Sequence, residues 1–305
     1  MHSHRCTAGR STLPFAGFLT MVLWAGVAPV RAQSGLAVPG LQPAAGATDL
    51  LATRSPAAGE SSLSLALGTA WAWGVLSATG AEQQNSWTVK QRLMLYGGLE
   101  AAVGRRLRLG IFAAGAAWQQ GTRTDAWGEP GPLSAGMGET WLAARASLVE
   151  EDSFGLGTEF SLRLPSADAE ALAGEPSAGS RFAVLAETRW GPLRTLLNAA
   201  LVVRRRTVFY DLESASAWQA VAGLEAAPEG WALTPALELF FERSLSPAAG
   251  YRSASLMVLG GGHLALGAWR LSLGAAAGLL GAGAPAPTVI FRLGWRGGKC
   301  RSLSE

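Results

Sequence analysis

Residues 154–165 read FGLGTEFSLRLP: from Phe154, every second position is Phe, Leu, Thr, Phe, Leu, Leu, and the places between hold Gly, Gly, Glu, Ser and Arg. Successive side chains of a β-strand point to opposite faces, so this is a two-sided ribbon. The same period runs from about residue 61 to 296 and predicts about twelve strands. They fall at approximately 61–74, 87–103, 107–119, 139–149, 154–164, 181–190, 193–204, 216–227, 231–243, 252–265, 268–280 and 286–296. The apolar parity is Leu63, Leu65, Leu67, Thr69, Trp71, Trp73 in the first and Val289, Phe291, Leu293, Trp295 in the last.

The links between strands sort into two kinds. Those near 104–106, 149–153, 191–192, 228–230 and Gly267 are tight, whereas 75–86, 119–138, 165–180, 205–215 and 244–251 are longer, with 281–285 intermediate. Alternating short and long links are expected of a barrel with short turns at its periplasmic end and longer loops outside. Aromatic residues sort the same way. Phe154, Trp190, Trp231, Trp269 and Trp295 fall at the short-turn end, and Trp73, Trp87 and Trp218 toward the other, all on the apolar parity. Two such girdles are expected where rings sit at lipid headgroups. Beyond the leader no stretch reaches the roughly 18 unbroken apolar residues of a spanning helix. The expectation is an all-β, transmembrane, antiparallel up-and-down β-barrel with its apolar side outward.

Composition sharpens this only in part. Apolar residues make up 49% and charged residues 15%, which excludes disorder for most of the chain. Residues 1–32 combine a basic start, an apolar core (PFAGFLTMVLWAGVAPV) and a small-x-small ending at Ala32, the pattern of a cleaved signal peptide. The whole chain has 25 Lys+Arg against 22 Asp+Glu. Arg5, Arg10 and Arg31 lie in 1–32 with no acidic residue, so the remainder carries 22 of each sign. That balance removes the electrostatic case for a nucleic-acid partner. Cys6 leaves with the leader, and Cys300 alone offers no intramolecular disulfide. Residues 33–60 read as a flexible periplasmic lead-in, 61–296 as the barrel and 297–305 as a tail.

Three stretches carry a family cadence: GMGETWLAARASL (136–148), FGLGTEFSLRLPSADAEALAGEPSAGSRFAVLAETRW (154–190) and LMVLGGGHLALGAWRLSLGAAAGLLGAGAPAPTVIFRLGW (256–295). Together they resemble the barrel half of OmpA-like outer membrane proteins and the MetA-pathway transporter-like group of phenol degradation. The resemblance spans about 60 to 296 and implies an outer-membrane barrel, a pore or a structural element. The soluble peptidoglycan-binding domain of OmpA-like proteins has no counterpart in the RGGKCRSLSE that follows Trp295. The last strand, ending on Trp295, resembles the aromatic-ended signal read by the barrel assembly machinery.

Residue types that carry catalysis or bind metals are sparse along the chain. His263, in GGGHLALG, has no ligand-spaced partner, and the His-x-Ser pairing of outer-membrane phospholipase barrels is missing because Ala265 stands two residues on. GMG (136–138) and GLG (155–157) neither complete a dinucleotide fingerprint nor open a helix. No catalytic residue, cofactor or metal is expected. The inward parity is more telling. Arg92, Glu100, Arg108, Glu139, Arg145, Glu159, Arg163, Arg181, Glu187, Arg189, Arg194, Arg204, Glu225, Glu238, Glu242, Arg270 and Arg292 form the candidate lumen lining. Such a lining reads as a porin-like passage for small polar or anionic solutes. The alternatives are a non-conducting structural or surface-interaction barrel, in which paired charges, segment 33–60 or loops 119–138 and 165–180 close the lumen, and a soluble periplasmic β-sandwich. The expected partners are outer-membrane lipid, the assembly machinery and a small solute.

Overall fold

The computed structural model describes residues 49, 52–56, 63–79, 85–123, 131–132, 135–167, 174–175, 177–209, 212–229, 231–246, 254–281 and 287–297. All belong to Ser34–Glu305, one of the two units into which the chain divides; the other is Met1–Gln33. The expected signal peptide, its cleavage near Ala32 and Cys300 lie outside the described residues.

Among the described residues, twelve long strands form one antiparallel meander. They are β1 (Leu63–Thr79), β2 (Asn85–Val103), β3 (Leu107–Arg123), β4 (Gly136–Glu150), β5 (Phe154–Leu164), β6 (Gly179–Trp190), β7 (Leu193–Arg204), β8 (Ala217–Ala226), β9 (Leu233–Ser244), β10 (Ala254–Leu266), β11 (Trp269–Gly281) and β12 (Thr288–Arg296). Each pairs with its chain neighbour, and β1 pairs with β12 from Ser64↔Arg296 to Ala72↔Thr288. The sheet therefore closes and has no edge.

The tight turns gather at one end. Gly104, Gly191 and Gly267 adopt φ of 78°, 57° and 62° there, a left-handed conformation that glycine reaches without a Cβ clash. At the other end the expected loops are shorter than the sequence implies. Strands β1, β2 and β3 run for 17, 19 and 17 residues, past the roughly 9–11 that cross a bilayer. Pairing of β1 with β2 continues through irregular register at Trp73/Leu76, so only 80–84 separate them where 75–86 read as a loop. Likewise β3 extends to Arg123, where it pairs with Gly131–Pro132. Within the link 205–216, Thr207–Phe209 pairs with Leu212–Ser214.

The two faces differ as the alternation predicts. Leu67, Phe182, Leu197, Leu237 and Leu273 point outward and are 50–58% exposed. Glu159, Arg163, Asn198, Glu238 and Arg292 point inward and are 0–2% exposed. In β5 the inward positions are Gly155, half-buried at the strand's start, and Gly157, Glu159, Ser161 and Arg163, all buried. Inward apolar side chains make only small clusters, such as Ala183–Leu185–Ala200. An apolar belt around a polar interior is stable where hydrocarbon, not water, surrounds it.

Placing a charge on that belt tests the assignment. Leu197→Arg should lower stability by about 2–4 kcal/mol in reversible urea unfolding from lipid vesicles, the cost of a cation near the bilayer midplane. A loss below about 0.5 kcal/mol would place Leu197 in water.

Candidate functional site in the lumen

The charged side chains of the wall stack in three layers. Nearest the tight turns, Arg194 Nη2 meets Glu187 Oε2 at 2.9 Å and Nη1 meets Glu225 Oε2 at 3.1 Å, while Arg270 reaches Glu225 Oε1 at 3.7 Å. In the middle, Arg145 and Glu159 are direct cross-strand partners on β4 and β5. Arg145 Nε lies 3.3 Å from Glu159 Oε2, its Nη2 lies 3.2 Å from Glu100 Oε1, and Arg181 Nη1 lies 2.9 Å from Glu159 Oε1. Toward the long loops, Arg163 pairs with Glu139 at 3.1 Å and with Glu175, and Arg204 pairs with Glu242. Gln219 joins the outer and middle layers, donating to Glu242 Oε2 at 2.6 Å and accepting from Arg181 Nε at 3.2 Å.

The remaining expected lining residues Arg92, Arg108, Glu238 and Arg292 are also buried. Arg189 is the exception. Its side chain is 49% exposed and its Nε donates to Glu187 at 2.6 Å, which puts it at the rim beside the Gly191 turn rather than in the lumen. Of the expected girdle residues, Trp73, Phe154, Trp190, Trp218, Trp231 and Trp269 are exposed and Trp295 is half-buried beside its cross-strand partner Trp269. The Trp87 side chain lies outside the described residues.

Two contributions come from outside the strands. Glu175, in the long link between β5 and β6, is buried and joins Arg163 to the hydroxyl of Ser214. The larger contribution is the described part of the 33–60 segment, which the sequence reads as a flexible periplasmic lead-in. Asp49, Thr53 and Ser55 are each 0% exposed. They lie among inward side chains of the barrel, so this part of the segment is an insert and not a free tether.

The insert is held by its backbone as much as by its charges. The Ala52 N–H and Thr53 Oγ1 donate to Glu238 Oε2 at 2.9 and 2.6 Å. Asn198 grips Arg54 from both sides, accepting its N–H at 2.7 Å and donating to its carbonyl at 2.8 Å. The Ser55 hydroxyl donates to Glu187 at 2.6 Å, and its N–H closes a turn on Asp49 Oδ1 at 2.7 Å. Arg54 pairs with Glu159 and its guanidinium sits 5.2 Å from the Phe112 ring centre. Pro56 fills the space over Gly155 and Gly157, where an added Cβ would meet it at 3.0 Å. The glycines of GLG are therefore a seat for proline.

Asp49 meets the Arg145 fork end-on, Oδ1 at 3.0 Å from Nη1 and Oδ2 at 3.1 Å from Nη2. Burial alone would raise the pKa of its carboxyl, but the Arg145 charge and hydrogen bonds outweigh that and hold it below the ordinary carboxylate value. Arg292 Nη2 also donates to the Asp49 carbonyl at 3.2 Å, so the insert touches β3, β4, β5, β6, β7, β9 and β12 and crosses the lumen.

His263 is buried, with Nδ1 2.8 Å from the hydroxyl of Ser272, its direct partner on β11. A serine does stand beside this histidine, across the sheet rather than along the strand. The sequence signal missed for the insert is modest: Asp49 and Arg54 are two of only three charges between residues 33 and 60.

With this geometry in place, comparison with known proteins is informative about fold. No family model and no curated protein matches the sequence. Among solved structures, an outer membrane channel from Pseudomonas putida F1 superposes with a TM-score of 0.58 at 13% identity, over 78% of this chain and 97% of its own. The NanC porin superposes with a TM-score of 0.51 at 6% identity, over 77% of this chain and 99% of its own. The fold is that of the outer-membrane β-barrels.

Glu159 is shared by Arg54, Arg145 and Arg181, so its loss should be felt by all three. Glu159→Gln should destabilise the barrel by about 3–5 kcal/mol in urea unfolding, as removal of one partner from a buried ion pair does. A change under about 1 kcal/mol would mean that the other carboxylates carry the middle layer without it. A second substitution addresses the seat: Gly155→Ala, whose new methyl meets Pro56 at 3.0 Å and no wall atom closer than 3.7 Å, should displace Pro56, raising the proteolytic sensitivity of the segment around residues 49–56 while leaving the barrel resistant. Unchanged sensitivity would show that the insert does not depend on that contact.

Proposed function

We propose that the protein is an outer-membrane channel for small polar or anionic solutes, not an enzyme, with the 49–56 insert as its constriction. A continuous polar wall of Arg and Glu inside an apolar exterior carries this reading, since such a lumen holds water and selects by charge. In this account residues 1–32 direct export and are removed near Ala32, and the last strand, ending on Trp295, engages the assembly machinery. The resemblance of 136–148, 154–190 and 256–295 to OmpA-like and MetA-pathway transporter-like barrels supports the same class. So does the likeness in fold to the P. putida outer membrane channel.

A second reading has its own support. The insert from the turn end and Glu175 from the loop end both cross-link the wall, as a non-conducting structural barrel would require.

Planar-bilayer conductance of the refolded chain separates the two, with heat-modifiable gel mobility as the control for folding. The channel reading predicts discrete steps with anion preference, several-fold larger when 49–56 is replaced by a Gly/Ser segment and less selective when Arg145 and Arg181 are neutralised. A folded barrel silent in both forms would establish the non-conducting alternative.

A further inference from the structure

The contact between Asp49 and Arg145 has the form of ligand recognition. Arg145 is 3% exposed, and its guanidinium presents two parallel N–H donors to the two oxygens of a single carboxylate at 3.0 and 3.1 Å. Arg292 adds a donor to the Asp49 carbonyl at 3.2 Å, and the Ser55 N–H adds a third donor to Oδ1. A fork of this kind matches a planar carboxylate in shape as well as charge. The carboxylate is not part of the wall. It is carried by a segment outside the strands that lies within the closed ring, so it occupies its place in the way a solute would.

We propose that Arg145, backed by Arg292, forms a carboxylate-binding site in the middle of the lumen, which Asp49 fills as an internal stand-in for a small carboxylate solute. This rests on the channel reading for its physiological meaning and narrows the anionic solutes to those bearing a carboxylate. The local charges agree. Glu100 and Glu159 each contact Arg145 at 3.2–3.3 Å, and Glu159 is also claimed by Arg54 and Arg181. Removing the Asp49 carboxyl while the insert stays in place leaves this group one positive charge in excess, which an incoming anion would neutralise.

A tethered group competes at an effective concentration on the order of millimolar. Free carboxylates at comparable levels therefore share the site with Asp49 in the intact chain and meet no such competition once its side chain is gone. The test is calorimetric titration of sodium acetate, against sodium chloride at equal ionic strength, into the refolded chain and its variants. Asp49→Ala should bind acetate at least about tenfold more tightly than the unaltered chain. Adding Arg145→Lys, which keeps the charge but loses the fork, should remove at least about tenfold of that gain.

An Asp49→Ala barrel that keeps its heat-modifiable mobility yet binds acetate no better than the unaltered chain, or no better than chloride, overturns the proposal. Conductance separates this from the channel reading. A variant that binds acetate in a silent barrel upholds the site and sinks the channel; a conducting barrel without acetate binding does the reverse.

Discussion

A peptide N–H or C=O in hydrocarbon has no partner except another peptide group, and leaving one unpaired costs several kcal/mol. The pairing of β1 with β12 meets that constraint, because it turns an open twelve-stranded meander into a ring with no edge. Once the ring is closed, the alternation of each strand has only two destinations. Leu67, Phe182, Leu197 and Leu273 go to the outside, and the arginines and glutamates opposite them go to the lumen. The positive-φ glycines at 104, 191 and 267 let the meander reverse within two or three residues at one end, leaving the longer links for the other.

That division creates a second problem inside. Charges crowded on the inner wall need compensation, since an unpartnered buried charge is far costlier than a paired one. The wall supplies much of it through cross-strand pairs such as Arg145 with Glu159 and Arg194 with Glu225. Glu175 and the insert supply more, and the insert's own backbone is satisfied by Glu238 and Asn198 in turn. A turn in which Ala52, Thr53 and Ser55 are small suits the space, because its polar groups reach the wall without bulky side chains in the way. Of the contacts that hold it, the one between Asp49 and Arg145 is the contact on which the proposed carboxylate site rests.

Much of this was legible in the sequence because period-two alternation is a local signal. FGLGTEFSLRLP shows both faces of β5 without reference to any other strand, and each of the twelve strands was visible in the same way. The overrun of β1 to β3 was hidden, because β-pairing beyond the membrane belt needs no apolar alternation to sustain it. Arg189 was misplaced for a geometric reason: parity gives the side of the sheet and not the depth, and its position next to a turn puts it at the rim. The insert was the least legible part. The strand residues that hydrogen-bond with Asp49, Thr53 and Arg54 lie some 96 to 243 residues away along the chain, so no local pattern in the 33–60 segment could identify them. Glu175 escaped notice on the same ground, as one of three acids in a loop, set apart only by its contacts with Arg163 and Ser214.

The claim on which the account turns is that the apolar face of each strand meets lipid and the charged face lines the interior. Spin labels placed singly at residues 154 to 164 of the refolded chain in vesicles would read this directly, through their relative accessibility to dissolved oxygen and to a polar nickel chelate. The account predicts oxygen maxima at 154, 156, 158, 160, 162 and 164, alternating with positions shielded from lipid. The opposite phase, or uniform access to the nickel chelate on the even positions, would contradict it.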